Sequence, residues 1–411
     1  MLSRQALFWL SRAYDLPGSD ARFLRAVRDN CAYHIRHCPE YRLICRAENF
    51  SPDRLRTVDD LDAIPVLPTL FFKRHAVFSM PEQRMAMRVT SSGTSGSYSR
   101  VGFDWGCVFA EIPMVLRLGF FHRLVSLKPA HYVILGYKPG KQDKMGVART
   151  MFGLTHFAPP VSRFYALRWK DGAYVPDLDG AARTLALCSR SPLPTRVVAF
   201  PSYLWFGMKR LDELGLSAHL PKGSKILLAG GWKQHAAQEV DKPRLYTLAQ
   251  KVLGVGEAHI HEFFGAVEHP VFFNTCKKHH FHIPAYARVL IRDVHTLQPL
   301  PMGEVGLLNL ITPLINATPV TSVMTDDLAY LTPGEDCGCG LKSPYLTILG
   351  RAGLSDITTC AAGAAELLRN QTGAQRSGSG LERGSKEMER IKILEKSLKR
   401  KGLCSDGGEM P

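Results

Sequence analysis

The sequence has no run of about 20 apolar residues, the length that an α-helix needs to cross a bilayer. The first 17 residues mix apolar side chains with Arg4, Arg12 and Asp15, so they lack the apolar core of a signal peptide. Without such a signal, the ten cysteines are expected to be thiols or metal ligands, as in a reducing compartment. The sequence therefore predicts a cytoplasmic protein without a transmembrane segment.

Several sequence motifs are also absent. The G-x-x-x-x-G-K-[ST] spacing of a Walker A loop does not occur, and there is no long repeat and no recognised nucleic-acid-binding motif. Lys and Arg exceed Asp and Glu by 52 − 37 = 15, but the basic residues are scattered. We therefore expect no nucleic-acid partner. Anionic substrates or an acidic carrier protein account for the positive charge equally well.

The apolar pattern predicts an α/β protein. With 45% hydrophobic and 22% charged residues among 411, the composition is that of one large or two smaller globular domains. Helical periodicity covers roughly the first 60 residues. A helix is predicted at 113–125, with Pro113 in its first turn. Short apolar strands are predicted after it at 131–137, 196–200 and 225–229, with helix-like segments between them. This alternation favours a largely parallel sheet, followed by a β-rich unit.

Residues 89–100 read V-T-S-S-G-T-S-G-S-Y-S-R and form the most distinctive segment of the chain. The glycines allow close approach of the backbone to a ligand, and the hydroxyl and N–H groups can surround an anion such as a polyphosphate. The same composition is typical of surface loops and linkers. Four later segments of the chain favour the phosphate-binding interpretation.

These segments carry glycine or carboxylate groups after predicted strands. Gly230 and Gly231 follow the strand at 225–229, where flat backbone can lie against a planar base. Residues 262–268 place Glu268 three positions after a glycine that is predicted to lie in a turn. Residues 323–328 are predicted to end an extended segment in paired carboxylates, and residues 348–352 end a strand in Gly-Arg.

In this order the segments resemble the motifs of the adenylate-forming, or acyl-activating, enzyme superfamily. Its [ST]-S-G-[ST]-[ST]-G loop matches residues 91–96, and its Y-G-x-T-E motif matches residues 264–268, with Phe for Tyr and Val for Thr. Its T-G-D motif matches residues 325–327, with Asp for Gly, and its hinge G-R matches residues 350–351.

Within the superfamily the chain is most similar to the LuxE-type acyl-protein synthetases, and more distantly to phenylacetate–coenzyme A ligases. The likeness covers roughly residues 20–368. It rests on I-P-V-L-P at 64–68, the loop at 90–96, G-G-W-K at 230–233 and G-R-A at 350–352 followed by Cys360.

The resemblance implies an ATP- and Mg²⁺-dependent ligase that joins a fatty or other carboxylic acid to AMP. Glu268 would bind Mg²⁺, Asp327 and Arg351 would bind the ribose, and Gly230 and Gly231 would bind the adenine. The remaining residues implied to contact the nucleotide are Ser91, Ser92, Gly93, Thr94, Ser95, Gly96, Phe264 and Gly265.

Larger members of the superfamily have a C-terminal domain with a catalytic lysine, whereas only about 60 residues follow Arg351 here. Lys386, Lys392 and Lys396 could take its place, but nothing in the sequence selects one of them. Lys233 is the preferred candidate for a cation near the nucleotide.

Three thiols and one imidazole form a possible structural zinc site. Cys276 and His282 lie in a predicted hairpin turn, and Cys337 and Cys339 form a C-x-C pair between glycines. Such a set suits tetrahedral Zn²⁺. His280 is an alternative ligand, and the other interpretation is a group of unrelated buried thiols.

Cys360 is predicted to lie where a small-residue helix begins, a position that stabilises a thiolate. In the LuxE-type family a cysteine at this place accepts the acyl group, which makes Cys360 the predicted nucleophile. A small buried apolar side chain is the alternative role for Cys360, and Cys404 is a weaker candidate acceptor.

We therefore expect an adenylate-forming domain at 1–350 with a zinc-bearing β unit at about 259–349. A hinge and acceptor segment would follow at 351–370, and a flexible, basic tail at 371–411. The predicted partners are the fatty acid and an acyl reductase, acyl carrier or synthase. The alternatives are transfer of the acyl group to coenzyme A, and a non-catalytic zinc-stabilised binding protein.

Overall fold

The computed structural model describes residues 2–91, 98–140, 145–170 and 173–351. Its helices are α1 (Leu2–Leu10), α2 (Leu16–His37), α3 (Pro39–Ala47), α4 (Thr69–Arg74), α5 (Trp105–Phe121), α6 (Gly146–Leu154), α7 (Leu178–Cys188), α8 (Pro201–Glu213) and α9 (Lys242–Leu253). None of the helices in these ranges is both long and apolar enough to cross a membrane.

The strands fall into two larger sheets and one hairpin. They are β1 (Leu67–Pro68), β2 (Met87–Thr90), β3 (Arg100–Phe103), β4 (Ala130–Tyr137), β5 (Pro160–Lys170), β6 (Ala173–Pro176), β7 (Thr195–Ala199), β8 (Lys225–Ala229), β9 (Ile260–Ala266), β10 (His269–Asn274), β11 (Phe281–His282), β12 (Arg288–Arg292), β13 (Gly306–Ile311), β14 (Ser322–Thr332) and β15 (Tyr345–Arg351).

The seven-stranded sheet has the order β10-β9-β8-β7-β4-β5-β6. Strands β9, β8, β7, β4 and β5 are parallel, while the edge strands β10 and β6 are antiparallel to their neighbours. The predicted strands at 131–137, 196–200 and 225–229 correspond to β4, β7 and β8. This arrangement confirms the predicted α/β architecture with a largely parallel sheet.

The six-stranded sheet has the order β11-β15-β14-β13-β12, with β1 added in parallel beside β14. Its other pairings are antiparallel, which agrees with the β-rich unit expected after the parallel sheet. The zinc-bearing unit was expected to begin at about residue 259. In the structure β9 and β10 belong to the seven-stranded sheet. Apart from β1, which comes much earlier in the chain, the six-stranded sheet is therefore formed by the consecutive strands from β11 onward.

Apolar cores fill both faces of the seven-stranded sheet, and a third, larger core joins that sheet to the rest of the molecule. The larger core includes Phe8 of α1, Phe23 of α2, Met114 of α5, Phe273 of β10 and Leu310 of β13. The N-terminal helices therefore pack against the six-stranded sheet and the β10 edge together.

Helix α5 differs from the prediction. The sequence predicted a helix over 113–125 that starts at Pro113, but the helix spans Trp105–Phe121 and contains Pro113 in its interior. Asp104 caps its first turn by accepting a hydrogen bond from the Cys107 N–H at 3.1 Å. The cap satisfies an amide group of the first turn that would otherwise be unpaired and sets the start of the helix at Trp105, so Pro113 lies in the interior without donating a backbone bond.

The same Asp104 carboxylate ties three distant segments together. It accepts hydrogen bonds from Arg4 Nη1 at 3.0 Å, Arg4 Nη2 at 2.7 Å and the Asn316 N–H at 2.8 Å. Arg4 and Asp104 are both buried. Burial alone would raise the pKa of Asp104, but Arg4 and the N–H groups of Asn316 and Cys107 hold it below its ordinary value.

We expect Asp104→Asn to lower the free energy of unfolding by about 3 kcal/mol at pH 7, because it leaves Arg4 buried without a counter-charge. A lowered folded-state pKa stabilises the protein above the ordinary aspartate pKa of about 3.9 and stops doing so as the pH falls through the lowered value. Urea unfolding at pH 7 therefore reports the whole effect.

Asp179→Asn, which breaks an exposed ion pair with Arg210, is the matched control and should leave the unfolding midpoint unchanged. Equal destabilisation by both variants would contradict this assignment.

Candidate functional site

The hydroxyl-rich loop lies within the Ser-, Thr- and Gly-rich segment 89–100, and a short hairpin closes its base. Strands β2 and β3 pair as far as Thr90 and Arg100. Beyond them the Ser91 N–H donates to the Ser99 carbonyl at 3.2 Å, and the Ser99 N–H donates to Ser91 Oγ at 2.9 Å. The structure thus places Ser91 at the stem. The predicted loop residues beyond it, Ser92, Gly93, Thr94, Ser95 and Gly96, lie outside the described residues.

Glu268 lies in the two-residue turn between β9 and β10 and is only 3% exposed. This turn contacts the segment that enters the hydroxyl-rich loop. A β-carbon on Gly146 would lie 2.7 Å from a Val267 methyl group and 3.0 Å from a Val89 methyl group. The stem of the loop, the start of α6 and the Glu268 turn therefore meet at one place.

Burial raises the pKa of Glu268. The Ser99 side chain, the backbone of Glu268 itself and the Lys73 ammonium oppose this effect, while the Asp326 carboxylate adds to it. Lys73 and Asp326 therefore both lie within electrostatic range of Glu268.

Lys73 was not singled out by sequence reasoning, and Asp326 was noted only as one of two paired carboxylates and as the Asp that replaces Gly in the T-G-D motif. Lys73 is on α4, and α4 packs against β14, which carries Asp326. The chain before α4 forms β1, whose Leu67 pairs with Val323 of β14. The only sequence signal for Lys73 was its position after the proline-containing segment 64–68. That segment was interpreted as an extended stretch leading to the region before the loop.

Two local predictions around this site were wrong. Gly265 was expected in a turn, but Phe264 and Gly265 both lie in β9, and the turn is formed by Val267 and Glu268. The Phe264 ring packs near Phe273 and Phe281, with centroid distances of 5.9 and 6.1 Å. Pairing between β9 and β10 continues to Ala266 and His269, which extends the strand past the glycine.

Asp326 and Asp327 were expected at the end of an extended segment, but β14 continues to Thr332 because β15 pairs with it along its second half. In that pairing Asp327 is directly opposite Arg351. The backbones of the two residues implied to bind ribose are therefore neighbours across the sheet.

Gly230 follows β8 with φ of +77°, a conformation that a β-carbon disfavours. Gly231 continues this segment at the carboxyl end of β8, beside the carboxyl end of β9. Ligands of open α/β sheets bind at the carboxyl ends of the strands. Lys233 begins a short 3₁₀ helix (Lys233–Gln238).

The second candidate site is the Cys/His cluster. The metal-ligating atoms of Cys276, His282, Cys337 and Cys339 all lie within 4.8 Å of one another. The Cys276 and Cys337 sulfurs are 3.6 Å apart, and Cys339 Sγ is 3.2 Å from His282 Nε2. Two zinc-bound sulfurs in a tetrahedron are separated by about 3.8 Å, given Zn–S bonds of about 2.3 Å. The donor set and its spacing therefore fit a tetrahedral metal ion.

The backbone around the cluster explains how its side chains converge. A tight turn joins β10 to β11, in which the Cys276 N–H donates to the His280 carbonyl at 2.9 Å. Gly338 and Gly340 have φ values of +66° and +97°, as expected for glycines that turn a C-x-C segment. Backbone N–H groups of Lys278 and Leu341 donate to the sulfurs of Cys276 and Cys339 at 3.3 and 3.4 Å.

The two candidate histidines have different roles in this geometry. His282 Nδ1 lies 2.6 Å from the Ser343 carbonyl, which leaves Nε2 directed at Cys339. A ligand imidazole that donates its other N–H to a carbonyl is the usual arrangement at metal sites. His280 stacks on Tyr345 at 4.2 Å and places Nδ1 3.1 Å from Cys337 Sγ. His282 is therefore the fourth member of the cluster, and His280 contacts it from outside.

The predicted acceptor Cys360 and the alternative Cys404 lie outside the described residues, as do Lys386, Lys392 and Lys396.

Comparison with protein families identifies the family of this chain. The family model described as acyl-protein synthetase, LuxE, matches residues 13–111 and 192–369. The chain belongs to the LuxE family.

Individual relatives share low identity with this LuxE-family chain over most of its length. A long-chain-fatty-acid–luciferin-component ligase of Vibrio harveyi is 22% identical over 76% of this chain and 79% of its own. A counterpart from Aliivibrio fischeri is 23% identical over 75% and 78%. A phenylacetate–coenzyme A ligase of Aromatoleum evansii is 25% identical over 75% and 67%.

Solved structures show the fold. A crystal structure of 2-hydroxyisobutyryl-CoA ligase in the postadenylation state, in complex with 2-HIB-AMP, superimposes with a TM-score of 0.62 at 16% identity. It covers 84% of this chain and 70% of that ligase. An open conformation of the same ligase gives a TM-score of 0.59 at 17% identity, over 81% and 69%. The LuxE-family chain therefore has the fold of the adenylate-forming CoA ligases.

Proposed function

We propose that this protein is an ATP-dependent ligase that activates a long-chain fatty acid as an acyl-adenylate and transfers the acyl group to the thiol of Cys360. The observation that carries the proposal is the position of the buried Glu268 beside the stem of the hydroxyl-rich loop, within electrostatic range of Lys73 and Asp326. Family membership and the names of the fatty-acid ligases among the relatives support the same activity.

The reaction requires two anions to approach each other. A carboxylate oxygen of the fatty acid attacks the α-phosphorus of ATP, and the bond to pyrophosphate breaks. Cations and backbone donors must offset the repulsion between the carboxylate and the phosphates. We assign this role to the loop at 91–96 and to Lys73, with Lys233 as a second candidate cation.

The residues present fit a Mg²⁺ ion beside the nucleotide. Glu268 and Asp326 supply oxygen ligands of the kind that Mg²⁺ prefers, and the ion would neutralise phosphate charge. The ion would also supply a counter-charge to Glu268, which is buried with a raised pKa, and to the nearby Asp326. Asp327 and Arg351 would then hold the ribose, with the adenine against Gly230 and Gly231.

In the second step the Cys360 thiolate attacks the acyl carbon, and AMP leaves as the thioester forms. The acyl group would pass from there to an acyl reductase or another acyl-accepting protein. Coenzyme A is the second candidate acceptor, favoured by the similarity to phenylacetate–coenzyme A ligases.

We expect labelled pyrophosphate to exchange into ATP only when a suitable acid is present, with long-chain fatty acids far more active than acetate. Glu268→Gln should lower the exchange rate by 100-fold or more, on the order of 3 kcal/mol of transition-state stabilisation. Glu304→Gln, at an exposed carboxylate outside the site, is the control and should exchange normally. Absence of exchange with every acid, from folded protein, would favour the non-catalytic binding protein instead.

Intact-mass analysis after incubation with ATP and the fatty acid should show one acyl adduct. Cys360→Ala should abolish the adduct but retain pyrophosphate exchange, because adenylation precedes transfer. Cys404→Ala should keep both. If Cys360→Ala still forms acyl-coenzyme A at the normal rate, the acceptor is coenzyme A and the thiol step is wrong.

We further propose that the Cys/His cluster holds a structural Zn²⁺ ion. Three thiols and one imidazole form a closed donor set without an open position for substrate, which is typical of structural rather than catalytic zinc. The cluster joins the β10–β11 turn to the segment between β14 and β15, so the ion would connect the edges of both sheets.

Purified protein should therefore contain about one zinc ion per chain. Cys276→Ser and His282→Gln should lose most of it and unfold at a lower temperature, since metal binding contributes directly to folding. His280→Gln should retain zinc, and so should Cys188→Ser, which removes a buried thiol elsewhere. Elemental analysis by mass spectrometry measures the content. Full zinc content in His282→Gln would contradict the ligand assignment.

A further inference from the structure

A group of basic side chains lies at the amino ends of the parallel strands, at the edge opposite to the candidate nucleotide site. Val198, Leu227 and Phe263 belong to the core on one face of the seven-stranded sheet. Side chains two positions earlier in a strand point to the same face. Arg196, Lys225 and His261 therefore share that face, beside Tyr132 of β4, which belongs to the same core.

The register of the sheet makes these residues neighbours. Tyr132 is opposite Arg196, and Arg196 is opposite Lys225. His261 is opposite Leu227, two positions along from Lys225. Adjacent strands are about 4.8 Å apart, so the cationic groups of Arg196 and Lys225 and the imidazole of His261 converge on a small area. Burial lowers the pKa of His261 to about 3, so this imidazole is neutral and contributes hydrogen-bonding atoms rather than charge. We call Arg196, Lys225 and His261 the amino-edge cluster.

The cluster contains polar atoms that are buried without a partner. Arg196 is 3% exposed, and its Nε and Nη1 atoms have no hydrogen-bond partner among the described residues. His261 Nε2 is also buried and has no hydrogen-bond partner among the described residues. An unpartnered buried donor costs free energy, more so for a charged group.

Carboxylates do not compensate the cluster. Within the described ranges its members form no ion pair. Glu262, the nearest carboxylate along β9, points to the opposite face, where it accepts a hydrogen bond from Tyr246 and lies 2.9 Å from Lys242. The charged or titratable groups that act on Lys225 and His261 are all basic.

The C-terminal turn of α5 packs over this face of the sheet, but its carbonyl groups are already engaged. The carbonyls of Leu118, Gly119 and Phe120 accept hydrogen bonds from the N–H groups of the residues that follow the helix. Arg123, in this turn, is exposed and adds a further positive charge near Lys225. These three carbonyl groups therefore do not serve as partners for Nε and Nη1 of Arg196.

We propose that the amino-edge cluster binds a phosphate group, either free phosphate or the phosphoryl end of a small phosphate monoester. The planar guanidinium of Arg196 matches two oxygens of such a group, and Lys225 supplies a point charge. Lys225 and His261 are half-buried, while Arg123 and His259 are exposed, so the cluster extends from solvent at its rim to the buried Arg196.

This site is separate from the proposed ATP site. Gly230 follows the carboxyl end of β8 and Lys225 begins that strand, so five residues at about 3.3 Å each separate them. Burial lowers the pKa of Arg196, and burial together with the charges of Arg196 and Arg123 lowers the pKa of Lys225. A bound anion would relieve the repulsion that contributes to the Lys225 shift.

Thermal unfolding of the full chain in inorganic phosphate, against chloride at equal ionic strength, tests the proposal. Phosphate should raise the midpoint of the wild type by about 2 °C or more, because a ligand that binds only the folded state stabilises it. Lys225→Gln should lose at least three quarters of this shift. In chloride it should be no less stable than the wild type, because it removes a repelled charge; a purely structural lysine would instead cost stability in both buffers.

Lys170→Gln removes an exposed charge at the end of β5 in the same sheet and should keep the full increase in the unfolding midpoint.

Parallel titrations with glycerol 3-phosphate distinguish free phosphate from phosphate monoesters as the ligand. If both compounds raise the midpoint, the site also accepts monoesters; if only inorganic phosphate does, the site is restricted to the free ion. Lys225→Gln should still bind ATP with unchanged affinity. No shift in the wild type, or a full shift in Lys225→Gln, would overturn the proposal.

Discussion

The apolar core between the N-terminal helices, the β10 edge and the six-stranded sheet determines how the two sheets meet. Phe8 of α1 stacks on Tyr286 at 5.0 Å, and Val271 and Phe273 of β10 share one cluster with Leu310 of the second sheet. Because β10 is fixed by this core, the Glu268 turn that precedes it is held near β14 and α4. A carboxylate, a second carboxylate and a lysine from three separate elements are brought together in this way.

The Cys/His cluster acts on the same junction from another side. It connects the turn after β10 with the segment between β14 and β15, and Tyr14 lies behind it with its hydroxyl 2.5 Å from His122 Nε2. A metal ion there would constrain the strand that carries Asp327 and the strand that ends at Arg351. Structural zinc and nucleotide binding would then be coupled through β14 and β15, although they use different residues.

Sequence reasoning predicted features that depend on local pattern. The strands β4, β7 and β8 were found because buried parallel strands are short apolar runs, and the four cluster residues because thiols near a turn and in a C-x-C pair have few other roles. It failed where a contact joins distant segments. Lys73 approaches Glu268 through the pairing of β1 with β14, about 250 residues away. The buried Arg196 was hidden among scattered basic residues, and the Asp104 cap displaced the start of α5 from Pro113.

We propose that one nucleotide site lies where the loop stem, the Glu268 turn and β14 meet. A crystal structure with a non-hydrolysable acyl-sulfamoyl-adenosine would test this position. We expect the ribose hydroxyls to contact Asp327, the adenine to lie against Gly230 and Gly231, and the sulfamoyl group to lie near Lys73 and the loop at 91–96. An analogue bound elsewhere, with Glu268 and Lys73 remote from it, would show that the nucleotide site is in another part of the molecule.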